Sequence, residues 1–185
     1  MTDTTNTDPA RHRIPWRVIV WGIAGFVLLL PAIAGAPWTA FDYVAMAVLL
    51  GGAGLTMELV VRRSRDIAYR AGCGIAVVAA FLLLWVNGAV GILGDEDNPA
   101  NLLFVGVIAI AAVGAALARF RAAGMARVMA TTAAAQALVG GIALAAGWAS
   151  PGYAGVYEVA LGTGVFSTLW LISAGLFGKA ARDRV

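Results

Sequence analysis

Six long apolar stretches make up most of this chain and constrain its fold more than any other feature. They cover residues 18–36, 43–61, 67–93, 102–118, 128–147 and 156–177. A helix needs about 20 apolar residues to cross the hydrocarbon layer of a bilayer, and each stretch is close to that length. The mean hydropathy is +0.85, and charged residues make up 12% of the sequence, whereas they make up about 25% of soluble domains. We therefore predict an all-α, polytopic integral membrane protein that folds as a compact bundle of six transmembrane helices.

The basic residues predict how these helices are oriented. All 13 Lys and Arg residues precede the first stretch, follow the sixth, or lie around the second-to-third and fourth-to-fifth connections. Short loops rich in Lys and Arg stay in the cytoplasm, so we expect cytoplasmic N and C termini and three hairpins that point outward. Because the basic clusters flank apolar helices, we expect anionic lipid headgroups as their partners, and no nucleic acid.

The segments outside the apolar stretches are short. Residues 1–15 are polar and lack apolar periodicity, which predicts a disordered cytoplasmic tail. Residues 16–179 form the predicted transmembrane domain, and residues 180–185 form a second cytoplasmic tail. The order of span, outer turn, span and basic inner segment recurs about every 55 residues, which fits either a triplicated hairpin or any six-span protein with short loops.

Two polar side chains near the ends of predicted spans are candidates for function, because polar groups are costly in hydrocarbon. Glu58 precedes Arg62 by one helical turn. It therefore predicts either an interfacial ion pair with Arg62 or a proton or cation site near the cytoplasmic mouth. Asn87 lies near the outer end of the third span, where its amide either supports helix packing or contacts a solute.

The fifth span carries a polar stripe of Thr132, Gln136 and Gly140. Gln136 is close to the middle of the bilayer and needs hydrogen bonds from another helix or from a ligand. We expect its partners on the sixth span, which offers Thr163, Ser167 and Thr168. Small residues four apart also predict helix contact faces, at Ala47/Gly51, Ala112/Ala116, Ala137/Gly141 and Ala143/Gly147.

The predicted outer surface is acidic. Its carboxylates are Asp42, Asp95, Glu96, Asp97 and Glu158. Asp95, Glu96 and Asp97 are weak candidates for a cation site, because the alternating ligands and mid-loop Gly of an EF-hand are absent. The other interpretation is a solvated turn that starts the fourth helix, with Asn98 as N-cap and Pro99 at its first position.

The sequence predicts no catalytic residue, no metal site and no cofactor. The one histidine, His12, lies in the N-terminal tail, and Cys73 is the one cysteine. A bis-histidine haem within the bundle therefore lacks its ligands. A phosphate-binding loop that ends in Gly-Lys-Ser/Thr is also absent.

One segment resembles a known group of proteins. Residues 85–92, Trp-Val-Asn-Gly-Ala-Val-Gly-Ile, together with residues 95–101, Asp-Glu-Asp-Asn-Pro-Ala-Asn, are similar to a stretch in small multi-span bacterial inner-membrane proteins that carry no assigned activity. The resemblance implies a multi-pass protein of the bacterial inner membrane and makes the second outer turn the distinctive region. It assigns no site residue.

Three functions are compatible with these features. The first is a non-catalytic accessory or scaffold subunit of a membrane assembly, which binds a protein partner or a second copy of itself. The second is a small transporter or channel for a cation or small solute, with Glu58, Asn87 and Gln136 along its route. The third and least supported is a lipid-modifying membrane enzyme, for which Tyr69 and Arg70 beside Glu58 form the one candidate cluster.

Overall fold

The computed structural model describes residues 16–94 and 97–183, and within these ranges it is helical and contains no strand. The helices are α1 (Trp16–Ile33), α2 (Ala40–Arg63), α3 (Ile67–Ala89), α4 (Leu102–Leu117), α5 (Ala122–Ala145) and α6 (Tyr153–Arg182), and a 3-10 turn at Pro99–Asn101 precedes α4. The predicted all-α class is confirmed. The predicted disordered tail, residues 1–15, and the last two residues of the chain lie outside the described residues.

Five helices are long and apolar enough to cross a membrane: α2, α3, α5, α6, and α4 taken together with the 3-10 turn before it, which gives 19 residues from Pro99 to Leu117. The first apolar helix is shorter: α1 has 18 residues, which corresponds to about 27 Å at 1.5 Å per residue. It ends before the predicted boundary at residue 36. Gly35 there has a φ of +66°, and the Ala36 N–H donates to the Pro31 carbonyl at 2.9 Å. This left-handed glycine cap stops the helix.

Three other helix boundaries differ from the predicted apolar stretches by four residues or more. α3 ends at Ala89 instead of residue 93, since the following backbone turns away from the helix at Gly91, whose φ is +70°. α5 begins at Ala122, before the predicted residue 128. α6 continues through Lys179 to Arg182, so residues 180–182 are helical and not a tail. Basic residues in the last turn of a helix interact favourably with its dipole, which explains the extension.

The chain divides into two compact units, residues 1–54 and residues 55–185. In the first unit, Thr39 and Asp42 form a reciprocal cap at the start of α2. The Asp42 Oδ2 accepts from the Thr39 N–H at 2.7 Å, and the Asp42 N–H donates to the Thr39 Oγ1 at 3.4 Å. Trp21 of α1 packs over Gly54, where a Cβ would lie 2.9 Å from the Trp21 ring. A larger residue at position 54 would displace that ring.

The second unit contains a hydrophobic core formed by α3, α4, α5 and α6. Leu83, Phe104, Trp170 and Phe177 are fully buried in it. The most extensive contact joins α5 to α6, and α6 also packs along α3, while α4 packs against α5. A short connection at residues 146–152 makes α5 and α6 antiparallel neighbours. Their shared face contains the polar stripe predicted from the sequence.

Candidate functional site

The polar stripe of α5 lies at its contact with α6. Thr132, Gln136 and Gly140 are all buried. Gly140 faces Thr163 so closely that a Cβ at position 140 would overlap the Thr163 side chain, with 2.8 Å to its Cβ. The missing side chain at position 140 therefore allows the close approach of the two helices.

This contact fixes which residues of α6 lie near Gln136. In an antiparallel pair, one turn toward the start of α5 corresponds to one turn toward the end of α6, so Gln136 is placed near the level of Ser167. Thr163, Ser167 and Trp170 follow the spacing of one helical face. The predicted partner Thr168 is exposed and lies on another face, so the sequence prediction is wrong for this residue.

Several buried polar atoms at the α5–α6 contact lack hydrogen-bond partners among the described residues. They are the Gln136 Nε2 and Oε1, the Thr163 Oγ1, the Ser167 Oγ and the Trp170 Nε1. Thr132 differs, because its hydroxyl donates to the Val128 carbonyl at 2.9 Å. Gln136 and Trp170 have no exposed surface. The α5–α6 seam, which we define as Gln136, Thr163, Ser167 and Trp170, thus has both donors and acceptors available.

Asn87 lies near the end of α3 and has a hydrogen-bond partner in the connection that follows. Its Nδ2 donates to the Asn101 carbonyl at 3.1 Å, while its Oδ1 is buried without a partner. Asn101 in turn is buried, and its Oδ1 accepts from the backbone N–H groups of Ile92 and Leu93 at 3.1 and 2.9 Å. These bonds hold the connection between α3 and α4.

Asn98 also shapes the α3–α4 connection, though not as predicted. Its Oδ1 accepts from the Ala100 N–H at 3.0 Å, so it caps the 3-10 turn that Pro99 begins. The α4 helix starts later, at Leu102. The predicted cap is therefore correct in its residues but belongs to a separate short turn, because the chain must bend before it enters α4.

Glu58 pairs with Arg62 on α2, as one of its two interpretations predicted. The Arg62 Nη2 lies 2.7 Å from the Glu58 Oε1, and the two side chains are 62% and 14% exposed. Arg70 links the start of α3 to the end of α2, because its guanidinium donates to the carbonyls of Val61 and Ser64 at 2.7 and 2.6 Å. The end of α2, which carries Glu58, therefore lies near the start of α3, whereas Asn87 is about 30 Å from Ile67 along α3, at 1.5 Å per residue. The structure thus separates Glu58 from Asn87 and places Thr132 and Gln136 together on α5. A functional role of these four residues stays a prediction.

Two hydrogen bonds near the start of α3, one partly buried and one buried, were not predicted. The Tyr69 hydroxyl donates to the Phe120 carbonyl at 2.7 Å, and the Ser173 hydroxyl donates to the Gly72 carbonyl at 2.8 Å. The Tyr69 ring also packs edge-on against Phe177, with centroids 5.1 Å apart. These contacts tie α3 to α6 and to the α4–α5 connection.

The acidic residues show no assembled cation site in the described part of the chain. Asp97 is exposed in the connection between α3 and α4, and Asp95 and Glu96 lie outside the described residues. Asp42 caps α2 through Thr39. Within residues 16–94 and 97–183, no three His, Cys, Asp or Glu side chains form a group that could hold a metal ion.

The predicted small-residue faces differ from the contacts within this chain. Ala112, Ala116, Ala137 and Gly141 are exposed, and a Cβ at Gly141 would meet nothing within 4 Å. The prediction that these two pairs mark contacts between helices of one chain is wrong. No family model, curated protein or solved structure matches this chain.

Proposed function

We propose that this protein crosses the bacterial inner membrane six times, with both termini in the cytoplasm, and acts as a non-catalytic accessory or scaffold subunit of a membrane assembly. The support for this orientation is the basic residues at two connections between helices. Four of them lie at or beside the α2–α3 connection, namely Arg62, Arg63, Arg65 and Arg70. Arg119 and Arg121 lie in the α4–α5 connection, which the same orientation places in the cytoplasm.

The scaffold assignment rests on one observation: polar side chains near both ends of the bundle form hydrogen bonds that join its segments. Tyr69, Arg70 and Ser173 link α3 to its neighbours at the inner end. At the outer end, Asn87 and Asn101 hold the α3–α4 connection. Tyr69 and Arg70 have these partners, which also weakens their case as members of an enzyme active site. Such cross-links support a rigid bundle with apolar outer faces.

Purification of the full chain from its native membrane in a gentle detergent tests this proposal. We expect a protein partner to co-purify in stoichiometric amount and to remain after size-exclusion chromatography. A monodisperse protein with no partner and no second copy would contradict the scaffold function. The result requires no knowledge of the partner in advance.

A second function is favoured by the α5–α6 seam alone. Unpaired polar atoms inside hydrocarbon are costly, and a small solute with donors and acceptors would pair with them. The seam has no formal charge, so a neutral solute fits it better than a cation. In this alternative the protein is a small transporter, and Gln136 contacts its solute.

Osmotic swelling of proteoliposomes in glycerol or urea tests the transport alternative. We expect Gln136→Leu to abolish any swelling that exceeds that of empty liposomes, and Gly141→Ala to retain it because position 141 is exposed. Swelling equal to that of empty liposomes, or unchanged by Gln136→Leu, would remove the seam from a transport route.

A further inference from the structure

A partly open cavity of about 310 Å³ lies between helices of the second unit, toward the α4–α5 connection. Its walls are apolar, and they include Val60, Ala111, Ala115, Phe120 and Met125. Ligand cavities in proteins have volumes of about 300–1,000 Å³. Alanines on α4 leave the space open, because longer side chains there would fill it. The cavity suits an apolar chain and offers little to a polar solute.

The connection beside this cavity has an unusual backbone. Arg119 and Phe120 are consecutive non-glycine residues with positive φ, at 50° and 56°. Such residues cost free energy and persist where surrounding contacts hold them. Here the Tyr69 hydroxyl holds the Phe120 carbonyl at 2.7 Å. The turn places Phe120 at the edge of the cavity, where this residue is 57% exposed.

The same turn places positive charge beside the cavity. Arg119 and Arg121 flank Phe120, and both are exposed. Neither has an ion-pair partner among residues 16–94 and 97–183. α5 begins directly after Arg121, with no acidic residue in its first turn and no side-chain cap. The helix N-terminus and two guanidinium groups therefore favour an anion at this position.

We propose that this cavity binds one acyl chain of an anionic phospholipid, with the lipid phosphate held by Arg119, Arg121 and the start of α5. Charge complementarity selects the headgroup, and the apolar walls select the chain. The site rests on the proposed topology, which puts this connection at the cytoplasmic leaflet, where anionic lipids are concentrated. The strained turn then has a role, since it holds Phe120 and both arginines around one opening.

Native mass spectrometry of the full chain in a neutral detergent tests the proposal with two lipids of identical acyl chains, phosphatidylglycerol and phosphatidylcholine. We expect selective retention of phosphatidylglycerol. The Arg119→Gln/Arg121→Gln double variant should weaken that binding at least about tenfold, since each surface cation contributes to attraction of an anionic lipid. The matched control is Lys179→Gln/Arg182→Gln, which removes two cations from the end of α6 and should leave binding unchanged.

A second pair of variants tests the acyl chain. Ala112 lines the cavity, whereas Ala116 is one turn further along α4 and is also exposed. Ala112→Phe should displace the lipid, and Ala116→Phe should not. Arg119 and Arg121 lie on the surface, so their substitution should not disturb folding. The double arginine variant therefore still tests lipid binding if Ala112→Phe fails to fold.

Equal retention of both lipids, or unchanged binding in the double arginine variant, would overturn the proposal. Retention of inorganic phosphate with no retention of phosphatidylglycerol would show an anion site without an acyl chain and would also overturn it. The measurement needs no protein partner, so a failed co-purification leaves it interpretable. Loss of lipid selectivity in turn leaves the scaffold function standing.

Discussion

The end of the core where α3 begins and α6 ends, which is the inner end in the proposed topology, and the α5–α6 seam are both polar regions between apolar helices, yet they use polar atoms differently. At the inner end, the hydroxyls of Tyr69 and Ser173 each donate to a backbone carbonyl of another segment. In the seam, the side-chain polar atoms of Gln136, Thr163 and Ser167 are buried and lack partners among the described residues. A satisfied buried hydrogen bond stabilises a fold modestly, whereas an unpaired buried group costs free energy. The hydrogen bonds at the inner end therefore stabilise the fold, whereas the unpaired polar groups of the seam lower its stability.

The largest effect is expected where α5 and α6 approach most closely. Gly140→Ala should lower the free energy of unfolding by about 1–3 kcal/mol, because the added Cβ would overlap Thr163 and force the helices apart. The matched control is Gly141→Ala, whose Cβ would meet nothing within 4 Å. That control should be neutral or stabilise the helix by up to about 1 kcal/mol. Thermal unfolding in detergent compares the two variants, and equal midpoints would contradict the assigned contact face.

One substitution removes the Tyr69–Phe120 hydrogen bond at the inner end. Tyr69→Phe keeps the ring against Phe177 but leaves the Phe120 carbonyl without its donor, which should cost about 1–3 kcal/mol. The strained turn should loosen as a result. We expect faster cleavage by trypsin after Arg119 and Arg121 in inside-out vesicles. Cleavage at the wild-type rate, with an unchanged unfolding midpoint, would show that this hydrogen bond does not hold the turn.

A paired substitution sharpens the contrast between the two regions. Ser173→Ala should destabilise the fold by about 0.5–1.5 kcal/mol, since it removes a made hydrogen bond. Gln136→Met should instead be neutral or stabilise by about 1 kcal/mol, because it replaces an unpaired buried amide with an apolar side chain of similar length. Thermal unfolding of both variants tests the opposite signs. A loss of stability in Gln136→Met would mean that the amide has a partner such as bound water or a solute.

The smallest effect is expected at the Glu58–Arg62 pair. Arg62 is 62% exposed, and the two residues are one turn apart on α2. Exposed pairs of this kind contribute about 0.3–0.5 kcal/mol. Glu58→Gln should therefore shift the unfolding midpoint only slightly, and the shift should shrink at high salt. A large loss of stability would indicate that Glu58 has a further role inside the bundle.

Local relationships were the part of the structure that the sequence predicted well. The helical class, the Glu58–Arg62 pair and the buried stripe of Thr132, Gln136 and Gly140 all depend on residues within a few turns of each other. Helical spacing alone determines which of these share a face. For the same reason, the sequence correctly identified Asn98 and Pro99 as the residues that begin a turn.

Contacts between distant segments could not be predicted in the same way. Tyr69 and Phe120 are 51 residues apart, and Ser173 and Gly72 are 101 apart. Nothing in the local pattern around any of these residues indicates its partner. Small residues were also misleading on α5, since Gly140 faces α6 whereas its neighbour Gly141 faces outward. In a chain so rich in Ala and Gly, spacing alone does not identify the face that packs.

The orientation of the helices across the membrane is the central claim, because the scaffold function and the lipid site both depend on it. Fusions of alkaline phosphatase and of green fluorescent protein after Arg65, after Asn98 and at the C terminus test it most directly. We predict phosphatase activity only after Asn98, and fluorescence after Arg65 and at the C terminus. Fluorescence after Asn98, or phosphatase activity at either of the other two positions, would contradict the six-span topology.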